Sequence, residues 1–256
     1  MAATGSLTGR TALVTGASSG IGRRLAVTLA QDGARIVVAA RRMDRLESLV
    51  TEIADCGGEA IAVTVDVEEE ASLIAAFDAG EKAFGLIDTV YANAGMDSTG
   101  AAVDLAAEEF DRVMAVNVRG VFLTAREAAR RLFAAGAEQS ARGRIVLVAS
   151  IGGLTVLPGL TAYCASKAAV VMIGRSLARE WARGGINVNV ICPGFLETEM
   201  TKGHLALDTG QKMISRFPRR RLLHDGDLDA IFHFLGSDAS RAVTGSVFTV
   251  DDGQSL

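Results

Sequence analysis

Tyr163 and Lys167 stand four residues apart, a spacing that brings both side chains to one face of a helix. A phenol with a pKa of about 10 is a poor base at neutral pH, and a neighbouring ammonium favours the phenolate and lowers that pKa. The pair is suited to hand a proton to a carbonyl under reduction or to take one from an alcohol under oxidation. Ser150 lies thirteen residues before Tyr163, at the end of a β-branched run. Its hydroxyl can hold a substrate oxygen beside the phenol; read alone, it is a loop serine. Asn117 interrupts a helical pattern in which asparagine is a poor former. It either bends that helix or anchors a water that relays protons from Lys167. These four residues are the expected acid–base machinery.

A second constellation opens the chain. Thr15-Gly-Ala-Ser-Ser-Gly-Ile-Gly22 falls between a strand pattern and a helical one. Gly16 permits a tight turn, Gly20 lets backbone N–H groups approach an anion, and Gly22 lets the helix pack on the strand. The helix N-terminus then offers unpaired N–H donors and a positive dipole end to a pyrophosphate. At the end of the second strand pattern a carboxylate would bind the ribose hydroxyls of NAD and repel a 2′-phosphate. The chain has Ala40-Arg41-Arg42 there, and guanidinium forks suit a phosphate. NADP(H) is therefore expected over NAD(H); two surface arginines opening a helix would look the same. Asp66, after the third strand pattern, is placed either to accept from an adenine amino group or to cap a helix.

The elements that must position these groups alternate regularly. Strands are expected at residues 11–15, 35–40, 60–65, 87–91, 144–149, 186–191 and 246–250. Helices are expected at 20–31, 43–55, 68–84, 108–135 with a bend near Asn117, 162–183 and 227–235. Strands joined by helical crossovers imply a mainly parallel, seven-stranded, doubly wound α/β sheet of Rossmann type, with helices on both faces. The strand runs are almost wholly apolar, as covered faces require. Neither a linker nor an internal repeat is visible, so residues 1–256 read as a single domain, with 1–8 a loose start. The least regular stretch, 195–224, is long enough to be a substrate loop or lid.

Composition narrows the partners. A net charge of −4 and a pI near 5.5 argue against nucleic-acid binding. Three cysteines without C-x-x-C spacing argue against a disulfide framework or a metal site and fit a cytoplasmic protein. Residues 145–166 carry no charge, but their paired glycines, proline and hydroxyl side chains suit strand, loop and helix start better than a membrane span.

Taken together, these residues resemble the short-chain dehydrogenase/reductase family over almost the whole chain. The resemblance rests on T-G-x-x-x-G-I-G at Thr15–Gly22, Asp66-Val67, Ala92-Asn-Ala-Gly95, Asn117, Ser150, Tyr163, Lys167 and Pro193-Gly-x-x-x-Thr198. It implies that Tyr163 is the acid/base, that Lys167 tunes it and holds a ribose, that Ser150 positions the substrate oxygen and that Asn117 organises a proton relay. It implies a cofactor site of Gly16, Ser18, Ser19, Gly20, Ile21, Gly22, Arg41, Arg42, Asp66, Val67, Asn93, Ala94, Gly95, Pro193, Gly194, Leu196 and Thr198, with Tyr163 and Lys167. It also implies a homotetramer, with 108–135 and 162–183 as candidate interfaces. Two departures stand out: Ala92 replaces the first asparagine of the usual Asn-Asn-Ala-Gly, and Asp252 replaces a glycine near the C-terminus.

Three functions fit. The first is a carbonyl reductase or secondary-alcohol dehydrogenase for a small, mostly apolar molecule. Leu154, Val156, Leu157, Met96, Phe195, Met200, Leu205, Leu207, Met213 and Phe217 would cover its substrate, while Glu197, Glu199, Lys202, His204, Asp208 and Lys212 face outward. The second is a 3-oxoacyl-thioester reductase, with Arg142 and Arg183 docking an acyl carrier protein. The third is a non-catalytic dinucleotide-binding scaffold, which has no need of a tuned tyrosine.

Overall fold

Alternation along each apolar strand divides the core between two faces of one sheet. In this computed structural model, residues 6–199 and 201–256 are described, apart from the side chain of His204. Met200 and the His204 side chain, each given a place in the sequence reading, lie outside the described residues. The strands are β1 (Thr11–Thr15), β2 (Arg35–Ala40), β3 (Glu59–Thr64), β4 (Thr89–Ala92), β5 (Gly143–Val148), β6 (Ile186–Pro193) and β7 (Val247–Val250). They form a seven-stranded sheet in the order β3-β2-β1-β4-β5-β6-β7, and every described pairing is parallel. Val14, Ile36 and Val38 pack on one face with Leu25, Leu46 and Phe232. Leu13, Val37, Ile145 and Val190 pack on the other with Phe77, Val121 and Trp181.

The first face is covered by α1 (Gly20–Gln31), α2 (Met43–Asp55) and a later helix (Asp229–Gly236). The second is covered by α3 (Glu70–Phe84) and two further helices ending at Ala134 and Trp181. Because strand order reverses beside β1 and β4, the carboxyl ends of these two strands leave a crevice between their outgoing loops.

The long helix expected at 108–135 is in fact α4 (Ala107–Met114), a π-helical turn (Ala115–Gly120) and α5 (Val121–Ala134). The expected bend near Asn117 thus takes the form of a widened turn, a feature frequent at functional sites. A short α6 (Ala137–Ser140) follows, and then α7 (Thr161–Trp181). The stretch at 195–224, read as irregular, holds α8 (Lys202–Leu205) and α9 (Asp208–Arg216), before α10 (Asp229–Gly236). α8 is too short to show a helical period, and α9 carries a threonine and a glycine that lower its propensity. Residues 145–166 are β5, a 3-10 turn and the start of α7. Among the described residues no helix is long and apolar enough to cross a membrane.

The amino edge of the sheet is held by buried charge. Arg10 pairs with Asp88 at 3.5 Å and with Asp238, and Arg144 donates to the carbonyls of Ser237, Ala141 and Gly143. Burial pushes the Arg144 guanidinium down to about 10.

The expectation of a loose N-terminus needs correction from residue 6 onward. Leu7 is 1% exposed and belongs to the first core face, and its N–H donates to the Asp32 carbonyl at 3.1 Å. Leu7→Ala should therefore cost about 2–4 kcal/mol in urea unfolding. A loss below about 0.5 kcal/mol, the range of a surface substitution, would restore the loose reading.

Candidate active site

The turn from β1 into α1 is pressed against the end of β4. Gly16 has φ +69°, and a Cβ on it would lie 2.8 Å from the Ala94 Cα; one on Gly22 would lie 2.5 Å from Asn93 Nδ2 and from the Gly16 carbonyl. Neither position has room for a side chain. Thr15 Oγ1 donates to the Tyr91 carbonyl at 3.4 Å and accepts from the N–H groups of Asn93 and Ala94, each at 3.1 Å. Asn93 Nδ2 donates to the Thr15 carbonyl at 2.9 Å. The ends of β1 and β4 are thus stitched together through Asn93, which carries this brace beside the departure at Ala92.

Above this seam opens a cleft of about 600 Å³, a size typical of ligand sites. Its walls include Gly16, Ser18, Ser19, Gly20, Ile21, Gly22, Arg41, Arg42, Asp66, Val67, Asn93, Ala94, Gly95, Ser150, Tyr163, Lys167, Pro193, Gly194, Leu196 and Thr198. Of the expected site residues only Asn117 is absent from the walls; it lies fully buried behind them. At the start of α1, Ser19 makes no side-chain cap and the first turn has no acid, so its N–H donors and dipole suit an external anion. Asp66 Oδ1 accepts from the Glu68 N–H at 3.1 Å in the turn ahead of α3, whose N-cap is Glu69, so the expected helix cap is not made and Asp66 lines the cleft. The glycine cradle and these donors fit a dinucleotide.

Beyond β2, Arg42 turns its guanidinium onto the glycine-rich turn. Its Nε and Nη2 donate to Ser18 Oγ at 3.2 and 3.0 Å, and Nη2 also donates to Ser19 Oγ at 3.0 Å. Arg42 also reaches Glu199, as does Arg45. Sequence reasoning placed Glu199 on an outward face; the structure brings it to the cleft wall.

The four acid–base candidates converge from three elements. Ser150 follows β5 in extended backbone and accepts from the Gly152 N–H at 3.0 Å, which fixes its side chain. The 3-10 turn Ile151–Gly153 then packs on α7 so closely that a Cβ on Gly153 would meet the Lys167 backbone at 2.7 Å. α7 presents Tyr163 and Lys167 together, with Lys167 Nζ 5.7 Å from the Tyr163 ring centroid. Lys167 Nζ donates to the Val148 carbonyl at 3.0 Å. Asn117 Nδ2 donates to the Met96 carbonyl at 2.8 Å and to Ser166 Oγ at 2.9 Å, while Oδ1 accepts from the Met96 N–H at 2.8 Å.

Burial sets the protonation states, and it reverses one expectation. The Tyr163 phenol is pushed up to about 12, chiefly by desolvation; its hydrogen bond with Ser150 opposes this, and the charge of Asp97 adds to it. The lowered phenol pKa expected from Lys167 is not found, because removing a phenolate from water outweighs an ammonium that is turned to a carbonyl. Lys167 itself is pushed down to about 8 by burial. At neutral pH the arrangement is a neutral phenol beside a protonated amine.

A mainly apolar chamber adjoins the phenol. Met96, Ile151, Leu157, Leu160, Phe195 and Leu205 line it, with Asp97, Thr99 and Thr201 among its polar residues. Of the other expected covering residues, Leu154, Val156 and Leu207 are exposed, and Phe217 stacks on Phe195 at 5.8 Å. Asp97, Arg45 and Glu199 went unrecognised in the sequence, since no local spacing marks a contact between distant loops. Arg142 precedes β5, and Arg183 precedes β6. Both therefore sit at the amino edge of the sheet, opposite Tyr163.

A family model described as enoyl-(acyl carrier protein) reductase matches residues 16–255. Oxidoreductase UcpA of Salmonella typhimurium is 35% identical over 98% of this chain and 97% of its own length. D-threitol dehydrogenase of Mycolicibacterium smegmatis is 34% identical, over 98% of this chain and 94% of its own. The crystal structure of a short-chain type dehydrogenase/reductase from Mycobacterium marinum superposes with a TM-score of 0.93 at 35% identity, covering 99% of this chain and 98% of that one. With the parallel sheet, the glycine cradle and the serine, tyrosine and lysine at one cleft, this likeness shows that the chain belongs to the short-chain dehydrogenase/reductase family, oxidoreductases that use a nicotinamide dinucleotide.

Proposed function

We propose that the chain is an NADP(H)-dependent carbonyl reductase, or secondary-alcohol dehydrogenase, for an apolar substrate. The observation that carries this reading is the half-buried Tyr163, its phenol hydrogen-bonded with Ser150 in a cleft whose wall carries many apolar side chains. When bound, the dinucleotide supplies or takes the hydride. The turn at Gly16–Gly22 and the α1 N-terminus would hold its pyrophosphate, Arg42 a 2′-phosphate, and Lys167 a ribose.

In this reading Ser150 holds the substrate oxygen against Tyr163, and the phenol gives that oxygen its proton. Lys167, still protonated at neutral pH, replaces the proton through the polar path toward Asn117 and Ser166. A non-catalytic scaffold would have no use for a phenol and an ammonium held so close at the cleft floor. Association through α4, α5 and α7 belongs to the same proposal, supported by the exposed Phe110 on α4 and Met172 on α7.

Asp97 favours a second reading. A carboxylate at the chamber wall suits a substrate with additional hydroxyl groups, and D-threitol dehydrogenase is among the relatives. A panel of aryl and long-chain ketones, hydroxyketones and four-carbon polyols, each run with NADPH and NADH, separates the two. The highest kcat/KM should fall to an apolar ketone with NADPH; a polyol in first place transfers the function to the second reading.

Tyr163→Phe keeps the ring and loses the transferable proton. Turnover should drop about a hundredfold or more, with NADPH affinity in calorimetry nearly unchanged. Retention of most activity would remove Tyr163 from the acid/base role. Arg42→Ala should weaken NADPH much more than NADH; equal weakening would dissociate Arg42 from the 2′-phosphate.

The pH dependence follows from the two shifted groups. Reduction needs the neutral phenol and the protonated amine, so its rate should be level below about pH 8 and fall as Lys167 loses its proton. Oxidation needs the phenolate, which burial makes scarce, so its rate should still be climbing at pH 10, about two units short of the phenol's own titration at about 12. A reduction profile level to pH 10 would show that the Lys167 charge is not required.

A further inference from the structure

Glu199 lies between Pro193-Gly194 and α8, and its carboxylate is gripped from two sides. Arg42 Nη1 donates to Oε2 at 2.9 Å and Arg45 Nη1 donates to Oε1 at 2.7 Å. The same Arg42 holds Ser18 and Ser19 of the glycine-rich turn. Two guanidiniums from the start of α2 thus hold one anion that belongs to the protein, and one of them also rests on two hydroxyls of the glycine-rich turn. The two arginines keep the Glu199 carboxyl below the usual carboxylate range. Its side chain is 48% exposed, so the contact is one that a better anion can displace.

A phosphate monoester presents the same charge sign with more acceptor oxygens, and it suits the same forked donors. The two anions cannot share the arginines without repelling one another. We propose that Glu199 is a cofactor-specificity residue, an internal competitor for the arginine pair that a 2′-phosphate would take. Binding of a 2′-phosphorylated dinucleotide expels the carboxylate, whereas an unphosphorylated one leaves it in place. This rests on the reading of the cleft as a nicotinamide dinucleotide site.

Release of Glu199 also matters to the chamber. Its neighbour Thr198 is tied to Thr201, whose Oγ1 donates to the Leu196 carbonyl at 2.6 Å. Leu205, at the end of α8, is a chamber wall. The ion pairs are therefore the point at which the cofactor's phosphate meets the segment that covers the substrate.

The test is calorimetric titration of the full chain and of Glu199→Gln with NADPH, NADH, 2′,5′-ADP and ADP. The variant should bind NADPH and 2′,5′-ADP about three- to tenfold more tightly, with NADH and ADP within about twofold of wild type. The gain should shrink in high salt, as for any exposed ion pair. In wild type, 2′,5′-ADP should also speed tryptic cleavage at Lys202, and the variant should be cleaved quickly without it. Equal affinities of variant and wild type for 2′,5′-ADP overturn the competitor role, whichever cofactor is turned over. Tighter 2′,5′-ADP binding by the variant, in an enzyme that turns over only NADH, retires the NADP(H) reading and upholds the competitor.

Discussion

The site depends on one buried amide. Asn117 has no exposed surface, and its side-chain amide makes three hydrogen bonds to two elements, the Met96 backbone after β4 and Ser166 on α7. An unpaired amide at such depth would be costly, so the three segments keep a common register. The π turn at Ala115–Gly120 makes this possible, because widening the helix by one residue changes the direction in which Asn117 points. A regular helix from 107 to 134 would carry the side chain elsewhere. Gly95 occupies the resulting gap, with Lys167 Nζ and Asn117 Oδ1 at 3.3 and 3.4 Å from where its Cβ would be.

That close packing has an electrostatic consequence. The packing that orients Ser150, Tyr163 and Lys167 at the cleft wall also withdraws the phenol and the amine from bulk water, and desolvation always favours the neutral form. It raises the phenol and lowers the amine. Orientation and protonation are therefore set by a single cause. At neutral pH this leaves Tyr163 as the neutral phenol and Lys167 protonated, but close to its titration at about 8. In a more open site the amine would hold its proton more firmly.

Much of this was legible in the sequence, and the parts that were not share a reason. The strands are β-branched runs bounded by turn residues, and β1, β2, α1 and α2 fall at the expected residues. The glycine-rich turn and the Tyr163–Lys167 pair follow from spacing alone, since both are local geometry. Burial and contacts between distant segments are not local. Leu7 looks like one apolar residue in a polar start until the β1–α1 layer closes over it. Glu199 reads as an outward acid because the arginines it meets, Arg42 and Arg45, lie 157 and 154 residues earlier. The direction of the Tyr163 shift needed the depth of the site, which no four-residue spacing encodes.

The segment at 195–224 combines these influences. Its first end is fixed where the Phe195 N–H donates to Gln254 Oε1 at 2.6 Å and Gln254 Nε2 returns to the Phe195 carbonyl at 3.1 Å. Leu196 bridges Leu223, so the two ends are pinned to each other. Asp252 completes the anchor. It adopts φ +53°, a conformation that favours glycine, and turns its carboxylate onto Arg221 at 2.7 Å and Arg219 at 3.1 Å. A glycine there would relax the backbone and leave both arginines without this partner. The departure at Asp252 thus acts within the chain, holding the far end of the cover to the last turn. Between these two anchors, Glu199 is the charged link from the segment to Arg42 and Arg45. The anchors and the link divide the labour: one holds the ends of the segment together, the other ties it to the arginines beside the glycine-rich turn.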